Sequence, residues 1–318
     1  MPRRRSPGPA PARERAASPI GVTFVRTRLA AGAAAATAAL AASLFAPVTA
    51  SADPAVPSPF APQGRAAKGA LVSVGLTTDQ RLVGFRVDDP AATWSFGTVR
   101  GLRGDTKLVG IDFRVQNGKL YGVGDKGGVY TLDSDAGAVK VSQLTVALAG
   151  RHFGVDFNPA ANRLRVISDT GQNLRHNIDD PAAPRTTTAD GALTNPTTPP
   201  TTALGVTGAA YTNNDLNTAT ATTLFDIDTV NDRVSLQSPA NAGTLAPTGN
   251  LGVDAGPSAG FDIYYKASTG ENKGFAALRT SGRYRFYSVN ALDGETVFRG
   301  TFPTGRQVVD IALPLDQN

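Results

Sequence analysis

Short stretches of alternating apolar and polar residues run through the chain from residue 70 onward, and many end in Asp or Asn. Clear examples are residues 129–133, 224–228 and 286–290. A period of two followed by a turn residue is typical of a strand that feeds a tight turn into the next antiparallel strand. The pattern therefore predicts a series of small β-meanders.

A second pattern marks repeats of these meanders. Glycine, an apolar residue, aspartate and another apolar residue follow one another at 110–113, 154–157 and 260–263. Residues 208–211 repeat the pattern with alanine in the aspartate position, and residues 309–311 repeat it without the glycine. The copies lie about 44 to 54 residues apart, close to the length of a four-stranded propeller blade.

The two ends of the repeat region predict how the series closes. The first unit, with strands near residues 71–74, 81–87 and 94–99, lacks an opening strand of the repeated type, and a spare one remains at 308–313. If that C-terminal strand completes the first blade, five blades close into a ring without a free sheet edge. The predicted fold is an all-β propeller of five blades. Six blades, a β-sandwich and a β-solenoid are the alternatives.

Composition supports strands and turns. Beyond residue 52 the chain contains 23 Asp, 2 Glu, 7 Lys, no Met and no Cys, whereas Gly, Thr, Asn and Val are abundant. Strong helix formers are therefore scarce. The lack of Cys excludes disulfides, a catalytic thiol and thiolate metal sites.

The N-terminal segment carries the excess positive charge and predicts export. Residues 1–52 contain seven Arg and one Glu and have a net charge of +6. The whole chain has a net charge of +5, so residues 53–318 have a net charge of −1. Two Arg residues precede an uncharged stretch at 29–45, and small residues follow at 50–52, which is the order of a secretory signal. We expect residues 1–52 to be a signal peptide, cleaved before Asp53.

These features predict a secreted, extracellular protein with no membrane attachment after cleavage. The near-neutral remainder gives no support for a nucleic-acid partner. The Pro-rich residues 53–69 predict a linker, and residues 70–318 a single propeller domain, which we expect to be monomeric. Residues 181–202, with five Pro and eight Thr, predict a long loop attached to the third blade.

Several stretches resemble a bacterial family known as domain of unknown function 4394. They are residues 108–125 (LVGIDFRVQNGKLYGVGD), residues 152–173 (HFGVDFNPAANRLRVISDTGQN), and residues 209–228 and 251–254. The resemblance covers about residues 70–313. It implies a secreted or surface β-rich domain and brings no activity or catalytic residues with it.

The repeated aspartates are the candidate metal ligands. Asp112, Asp156, Asp262 and Asp310 are predicted to occupy equivalent positions on the innermost strands, where they would line the axis and bind a cation. The structural alternative is that each aspartate ties neighbouring strands by accepting backbone or Arg hydrogen bonds. No cofactor is predicted. Calcium binding is an alternative, because turn aspartates such as Asp133 also offer oxygen ligands. Capping of the turns by these aspartates explains their positions equally well.

A dense polar run in the third unit is the candidate ligand-binding site. Arginines together with amides on a blade face either form a salt-bridge network between blades or present donors to an acidic or sugar-like ligand. The candidate residues are Arg163, Arg165, Asp169, Gln172, Asn173 and Arg175.

Two functions follow from these patterns. The first is a non-catalytic binding module for an extracellular ligand, either a cell-envelope glycan or a protein, because no catalytic set is evident and loops at the mouth of a propeller are common binding sites. The second is a secreted hydrolase or lactonase that uses a metal held by the axial aspartates, an analogy that rests on the fold alone. We favour the non-catalytic function.

Overall fold

A computed structural model describes residue 60 and residues 70–178, 185–217 and 219–315. The chain divides into two units, Met1–Ser51 and Ala52–Asn318, and all described residues belong to the second. Strands dominate these residues, and one short 3-10 helix, Ala240–Ala242, interrupts them. In the described parts of the chain, no helix has the length and apolar character needed to cross a membrane.

The first blade confirms the predicted closure. Its strands, in order from the axis outward, are β22 (Val308–Ala312), β1 (Val72–Thr77), β2 (Arg81–Arg86) and β3 (Asp89–Thr98). Strand β22 pairs antiparallel with β1, so the last strand of the chain completes the sheet that the first strand begins. This pairing covers the inner edge of β1, which would otherwise present unpaired backbone groups.

Four further blades follow in chain order, each an antiparallel meander whose first strand is innermost. Blade 2 consists of β4 (Leu108–Arg114), β5 (Lys119–Gly124), β6 (Gly128–Leu132) and β7 (Ala138–Gln143). Blade 3 consists of β8 (Phe153–Asn158), β9 (Arg163–Ser168), β10 (Asn173–His176) and β11 (Thr187–Ala189). Blade 4 consists of β14 (Val206–Tyr211), β15 (Leu224–Asp228), β16 (Arg233–Gln237) and β17 (Leu245–Asn250). Blade 5 consists of β18 (Ala259–Lys266), β19 (Glu271–Thr280), β20 (Arg283–Val289) and β21 (Thr296–Thr301).

The inner strands form a closed ring. Strand β22 contacts β4, β4 contacts β8, β8 contacts β14, β14 contacts β18, and β18 contacts β22 again. Apolar side chains fill the spaces between neighbouring blades, as in the cluster of Phe85, Phe275, Phe286 and Phe302 between blades 5 and 1. The protein is therefore a five-bladed β-propeller, as the repeat spacing predicts.

The predicted loop at 181–202 is not one continuous loop. Within it, Thr187–Ala189 form β11, the outermost strand of blade 3, and β12 (Thr194–Asn195) pairs with β13 (Thr201–Thr202) in a short hairpin. The prolines of this segment are incompatible with a central strand, but an outer strand has only one hydrogen-bonded neighbour and tolerates such flanks. Residues 181–184 lie outside the described part of the chain.

One residue of the predicted linker is part of the core. Phe60 is buried and makes edge-to-face contacts with the rings of Phe96 and Phe113, at centroid distances of 5.2 and 5.7 Å. The linker prediction from proline content did not anticipate this contact. The predicted signal peptide, residues 1–52, and the rest of the linker lie outside the described residues.

Candidate functional site

Aspartates on the inner strands bind backbone groups of the neighbouring blade. Asp112 on β4 accepts hydrogen bonds from its own neighbour, Phe113 N–H (2.7 Å), and from Phe157 N–H of blade 3 (2.8 Å). Asp262 on β18 likewise accepts from Ile263 N–H (2.6 Å) and from Leu313 N–H, just beyond β22 (2.6 Å). Each carboxylate thus satisfies two donors at the inner edge, where no further strand can pair.

The remaining two aspartates continue this arrangement. Asp156 on β8 accepts from the backbone N–H of Tyr211 in blade 4. Asp310 on β22 accepts from Ile111 N–H of blade 2 at 2.7 Å. In blade 4 the corresponding residue is Ala210, so that blade contributes no carboxylate at this level.

Asp310 does not occupy the position that the sequence predicts for it. Strand β4 pairs Leu108 with Gly124 and Gly110 with Val123, with a bulge between them, and β22 repeats this register and bulge with Val308 and Asp310. Asp310 is therefore equivalent to Gly110. It lies two residues before the strand position that Asp112 occupies in blade 2. The prediction was wrong here because an apolar-Asp-apolar triplet without its glycine does not fix a register in a strand of period two.

Glycine accommodates the Asp310 carboxylate. A Cβ added to Gly110 would lie 3.1 Å from Asp310 Oδ2, and one added to Gly260 would lie 2.9 Å from Asp310 Oδ1. Side chains on these two neighbouring strands would therefore crowd the carboxylate. The repeated glycine, which sequence analysis used only to count blades, leaves the space into which the fourth axial carboxylate fits.

The axial carboxyl groups are closed off from solvent and close together. Asp112, Asp156 and Asp262 each offer one oxygen within 4.8 Å of the other two. Burial raises the pKa of Asp112 and Asp156 well above the ordinary value, and the neighbouring axial carboxylates raise it further. Burial also raises the pKa of Asp262 to about 6 and that of Asp310 well above its usual range. These groups favour a proton or another positive charge at their centre.

Above this level the propeller opens into a concave mouth. One depression, of about 290 Å³, is lined by Gln307, His152 and Pro257, which come just before the inner strands of blades 1, 3 and 5. Because these blades surround the axis, the depression lies over it. A second depression of about 460 Å³ shares His152 and extends between blades 2 and 3. We call the two together the axial mouth.

Positive charges surround the axial mouth. Lys107, Lys126 and Arg151 line one depression, Arg279 lines the other, and all four side chains are exposed. Among the described residues, the side chains of Lys107, Arg151 and Arg279 have no hydrogen bond or ion pair; Lys126 lies 3.9 Å from Asp125.

His152 joins the two depressions as an uncharged group. Burial lowers the pKa of His152; the positive charges of Lys107 and Arg151 lower it further, against the opposite effect of Asp169. The imidazole is therefore neutral near pH 7 and offers one donor and one acceptor.

The predicted ligand-binding run is divided by the structure. Arg165, Asn173 and Arg175 come together around Asp190, a residue that sequence analysis did not select. Arg165 Nη1 lies 2.7 Å from Asp190 Oδ2, and Arg175 binds both carboxylate oxygens at 3.0 Å. The Arg165 guanidinium also donates to Asn173, Asn241 and the Tyr211 hydroxyl, and its side chain is 2% exposed. It is an internal tie between blades 3 and 4.

The other three members of that run lie elsewhere. Arg163 donates to the carbonyls of Ala161 and Asn162. Asp169 accepts a hydrogen bond from Arg151 N–H. The Gln172 side chain forms two hydrogen bonds with the backbone of the loop at 147–149. Asp169 and Gln172 thus support the loop that carries Arg151 into the axial mouth. Asp190 was detectable in the sequence as the one acidic residue among 185–202.

A family model described as a domain of unknown function (DUF4394) matches residues 81–312, from the first residue of β2 to the last residue of β22. The chain belongs to the DUF4394 family. This confirms the resemblance carried by residues 108–125 and 152–173. None of the curated proteins matches the DUF4394 chain in sequence.

Several solved structures are similar to the DUF4394 propeller. One is a structural genomics protein of unknown function from Bacteroides thetaiotaomicron VPI-5482, at 12% identity and TM-score 0.42, over 79% of this chain and 68% of that one. An auxiliary nutrient binding protein from Bacteroides ovatus ATCC 8483 matches at 13% identity and TM-score 0.39, over 64% of this chain and 55% of that one. The β-propeller domain of Cps50 (Swd1) from Myceliophteria thermophila matches at 14% identity and TM-score 0.33, over 73% of this chain and 86% of that one. These likenesses concern the fold alone.

A further buried carboxylate of the DUF4394 domain lies away from the axis. Asp226 on β15 is cross-strand partner to Ser235 on β16, so both side chains share one face of blade 4. Among the described residues, neither oxygen of Asp226 has a hydrogen-bond partner, nor has Ser235 Oγ. Burial raises the pKa of Asp226 well above its ordinary value, and the charge of Arg165 partly opposes this.

Turn capping accounts for other candidate calcium ligands. Asp133 accepts from the backbone N–H groups of Asp135 and Gly137, and Asp228 accepts from those of Val230 and Asn231. Such bonds close the turns that follow β6 and β15.

The opposite end of the propeller carries a separate groove of about 520 Å³ between blades 4 and 5. Its floor includes Phe225, Ile263 and Phe275. Two of its charged residues have partners, because Lys273 lies 3.6 Å from Glu271 and Arg299 donates to Ser288.

Proposed function

We propose that this protein is a secreted, non-catalytic binding module whose axial mouth binds an anionic glycan of the cell envelope or its surroundings. The observation that carries the proposal is a group of exposed cations around a concave surface, whose side chains have no hydrogen bond or ion pair within the part of the chain that the structure describes. Lys107, Arg151 and Arg279 surround the mouth, and His152 lies between its two depressions.

The geometry suits carboxylate or phosphate groups. Cationic side chains that keep their donors unsatisfied bind such groups through charge-assisted hydrogen bonds. A neutral His152 adds a donor and an acceptor of the kind that orients a sugar hydroxyl. The combined depressions have the size of small-molecule sites, which are usually about 300 to 1,000 Å³.

We prefer this function to hydrolysis by an axial metal. The carboxylates that would hold the metal are no more than 7% exposed, so a substrate cannot reach them. A substrate that must reach a catalytic metal needs an open coordination position, which a closed site does not offer. The larger groove at 520 Å³ is apolar at its floor, and nothing in the structure indicates what covers it.

Export is the second half of the proposal. It is supported by the arrangement of charged, apolar and small residues in the first 52 positions, which is typical of a secretory signal. An exported domain without Cys depends on closure of its sheets rather than on disulfides.

The test is a glycan array that contains uronate, sulfated, phosphorylated and neutral glycans. We expect the protein to bind anionic members and not neutral ones, with affinity that falls as salt rises. The variants Arg151→Ala and Arg279→Ala should each weaken binding by roughly ten- to hundredfold, because a hydrogen bond to a charged group contributes roughly 1.5 to 3 kcal/mol.

Arg299→Ala is the matched control. It removes the same charge from the groove at the opposite end, so binding should be unchanged. Equal losses in the Arg151, Arg279 and Arg299 variants would mean that net charge alone drives the interaction. Binding to neutral glycans only, or to none of the array, would refute the proposal.

A further inference from the structure

Three of the axial carboxyl groups share a site, and no cationic side chain among the described residues compensates their charge. In the described part of the chain, Asp112, Asp262 and Asp310 accept hydrogen bonds from backbone N–H groups and form no ion pair with Lys, Arg or His. Like charges gathered in a medium of low dielectric repel one another strongly.

A second observation indicates that a group is accommodated there. Asp156 is 1% exposed, and its Oδ1 has no hydrogen-bond partner among the described residues, whereas the same carboxylate accepts from Tyr211 N–H. A buried carboxylate oxygen without a donor is costly and rare in native proteins. This oxygen belongs to a residue whose carboxylate lies within 4.8 Å of those of Asp112 and Asp262.

The spacing of the carboxylate oxygens is compatible with a bound calcium ion. The centre of a triangle with sides no longer than 4.8 Å lies at most about 2.8 Å from each corner, close to the 2.3 to 2.6 Å of calcium–oxygen bonds. Magnesium requires shorter bonds of about 2.0 to 2.1 Å in near-ideal octahedral geometry, whereas calcium accepts irregular geometry. Zinc favours His and Cys, but the chain has no Cys, and His176 binds Ser142 and Thr187 instead.

We propose that Asp112, Asp156 and Asp262, with Asp310 one level above them, hold a resident calcium ion on the propeller axis. The ion links the inner strands of blades 1, 2, 3 and 5 and offsets the repulsion among their carboxylates. Its role is structural, and it is independent of the ligand that binds in the axial mouth.

The test measures metal content and thermal stability of the full exported protein. We expect about one calcium per chain by mass spectrometry of the purified protein. After treatment with chelator, addition of 1 mM calcium chloride at pH 7.5 should raise the melting temperature by about 5 to 15 °C, and magnesium chloride should raise it much less.

Two variants separate this site from buried carboxylates in general. Asp156→Asn retains an oxygen for Tyr211 N–H but removes a charge and a ligand, so the calcium-dependent shift should be lost. Asp226→Asn removes an equally buried carboxylate away from the axis and should keep the full shift. If Asp156→Asn does not fold, Asp310→Asn serves the same purpose with a partial loss of the shift.

The proposal is overturned by wild-type protein that contains no calcium and shows no calcium-dependent shift. It is also overturned if the Asp156 and Asp226 variants lose the shift to the same extent. Because the readouts are metal content and melting temperature, failure of glycan binding does not affect them.

Discussion

A single aspartate on an inner propeller strand satisfies donors on two blades. The inner edge of such a strand has no further partner, so its N–H groups point toward the axis unpaired. Asp112 and Asp262 accept both their own following N–H and one from the next blade. Asp226, by contrast, has no hydrogen-bond partner for either oxygen among the described residues. Aspartate side chains therefore stabilise the fold at the axis, whereas the same side chain at position 226 destabilises it.

Asp226 gives a prediction about pH. Its pKa is raised in the folded state, so between the unfolded value and the folded value the unfolded chain loses a proton that the folded chain retains. Its contribution to stability is fully present below about pH 4 and is lost as the pH rises through the folded-state pKa. Asp226→Asn has no such proton, so it should melt a few degrees above the parent at pH 8 and close to it at pH 4.

Thermal melts across this range in chelator provide the measurement. Asp254→Asn, at an exposed position, is the control and should follow the parent at every pH. A constant difference between the Asp226 variant and the parent from pH 4 to pH 8 would contradict the expected titration.

Among the elements, β22 has the largest consequence for the fold. It pairs with β1 and contacts both β4 and β18, so it lies at the point where the ring closes. Its Val308, Ile311 and Ala312 are at most 1% exposed. Burial of each large apolar side chain contributes roughly 1.5 to 3 kcal/mol, comparable in sum with the total stability of many domains.

Deletion of residues 306–318 should therefore abolish cooperative unfolding and lead to aggregation. The deletion removes the hydrogen bonds of a whole strand and exposes an edge of β1 inside the ring. Differential scanning calorimetry and light scattering provide the measurement. A truncated protein that melts within a few degrees of the parent would show that β22 is dispensable.

A permuted chain is the matched control for this deletion. Because β22 and β1 are antiparallel neighbours, residues 306–315 placed before residue 71 through a short turn can form the same pair as a hairpin. The permuted protein has the same strands and should regain a cooperative melt. Failure of both chains would indicate that the sequence change, rather than the missing strand, caused the defect.

For the whole molecule, charge is distributed unevenly along the chain. The first 52 residues have a net charge of +6 and the whole chain has +5, so residues 53–318 have a net charge of −1. The cations of the axial mouth thus form a local positive surface on a nearly neutral propeller. A local arrangement of this kind attracts anions at short range, and salt screens it beyond roughly 10 Å.

The proposed export predicts a processing site, which follows from the same distribution of residues. We expect a mature N-terminus at Asp53, because small residues at 50–52 suit a signal peptidase. Intact-mass measurement and N-terminal sequencing of protein from the culture medium check this. Recovery of a full-length chain retained in the membrane would contradict it.

The sequence by itself predicted the propeller, its five blades and the closing strand, and the structure confirms all three. Period-two alternation, turn residues and the Gly-apolar-Asp repeat are local signals that each blade carries within about 50 residues. It also identified three of the four axial aspartates at their correct level.

Only the tertiary structure decided which side chains meet. The register of Asp310, the partnership of Arg165 with Asp190 and the gathering of Lys107, Arg151 and Arg279 around one mouth all depend on contacts between distant segments. A strand of period two indicates which face a residue lies on, but it does not indicate which residue of the next blade lies opposite. That information arises when the five blades close around a common axis.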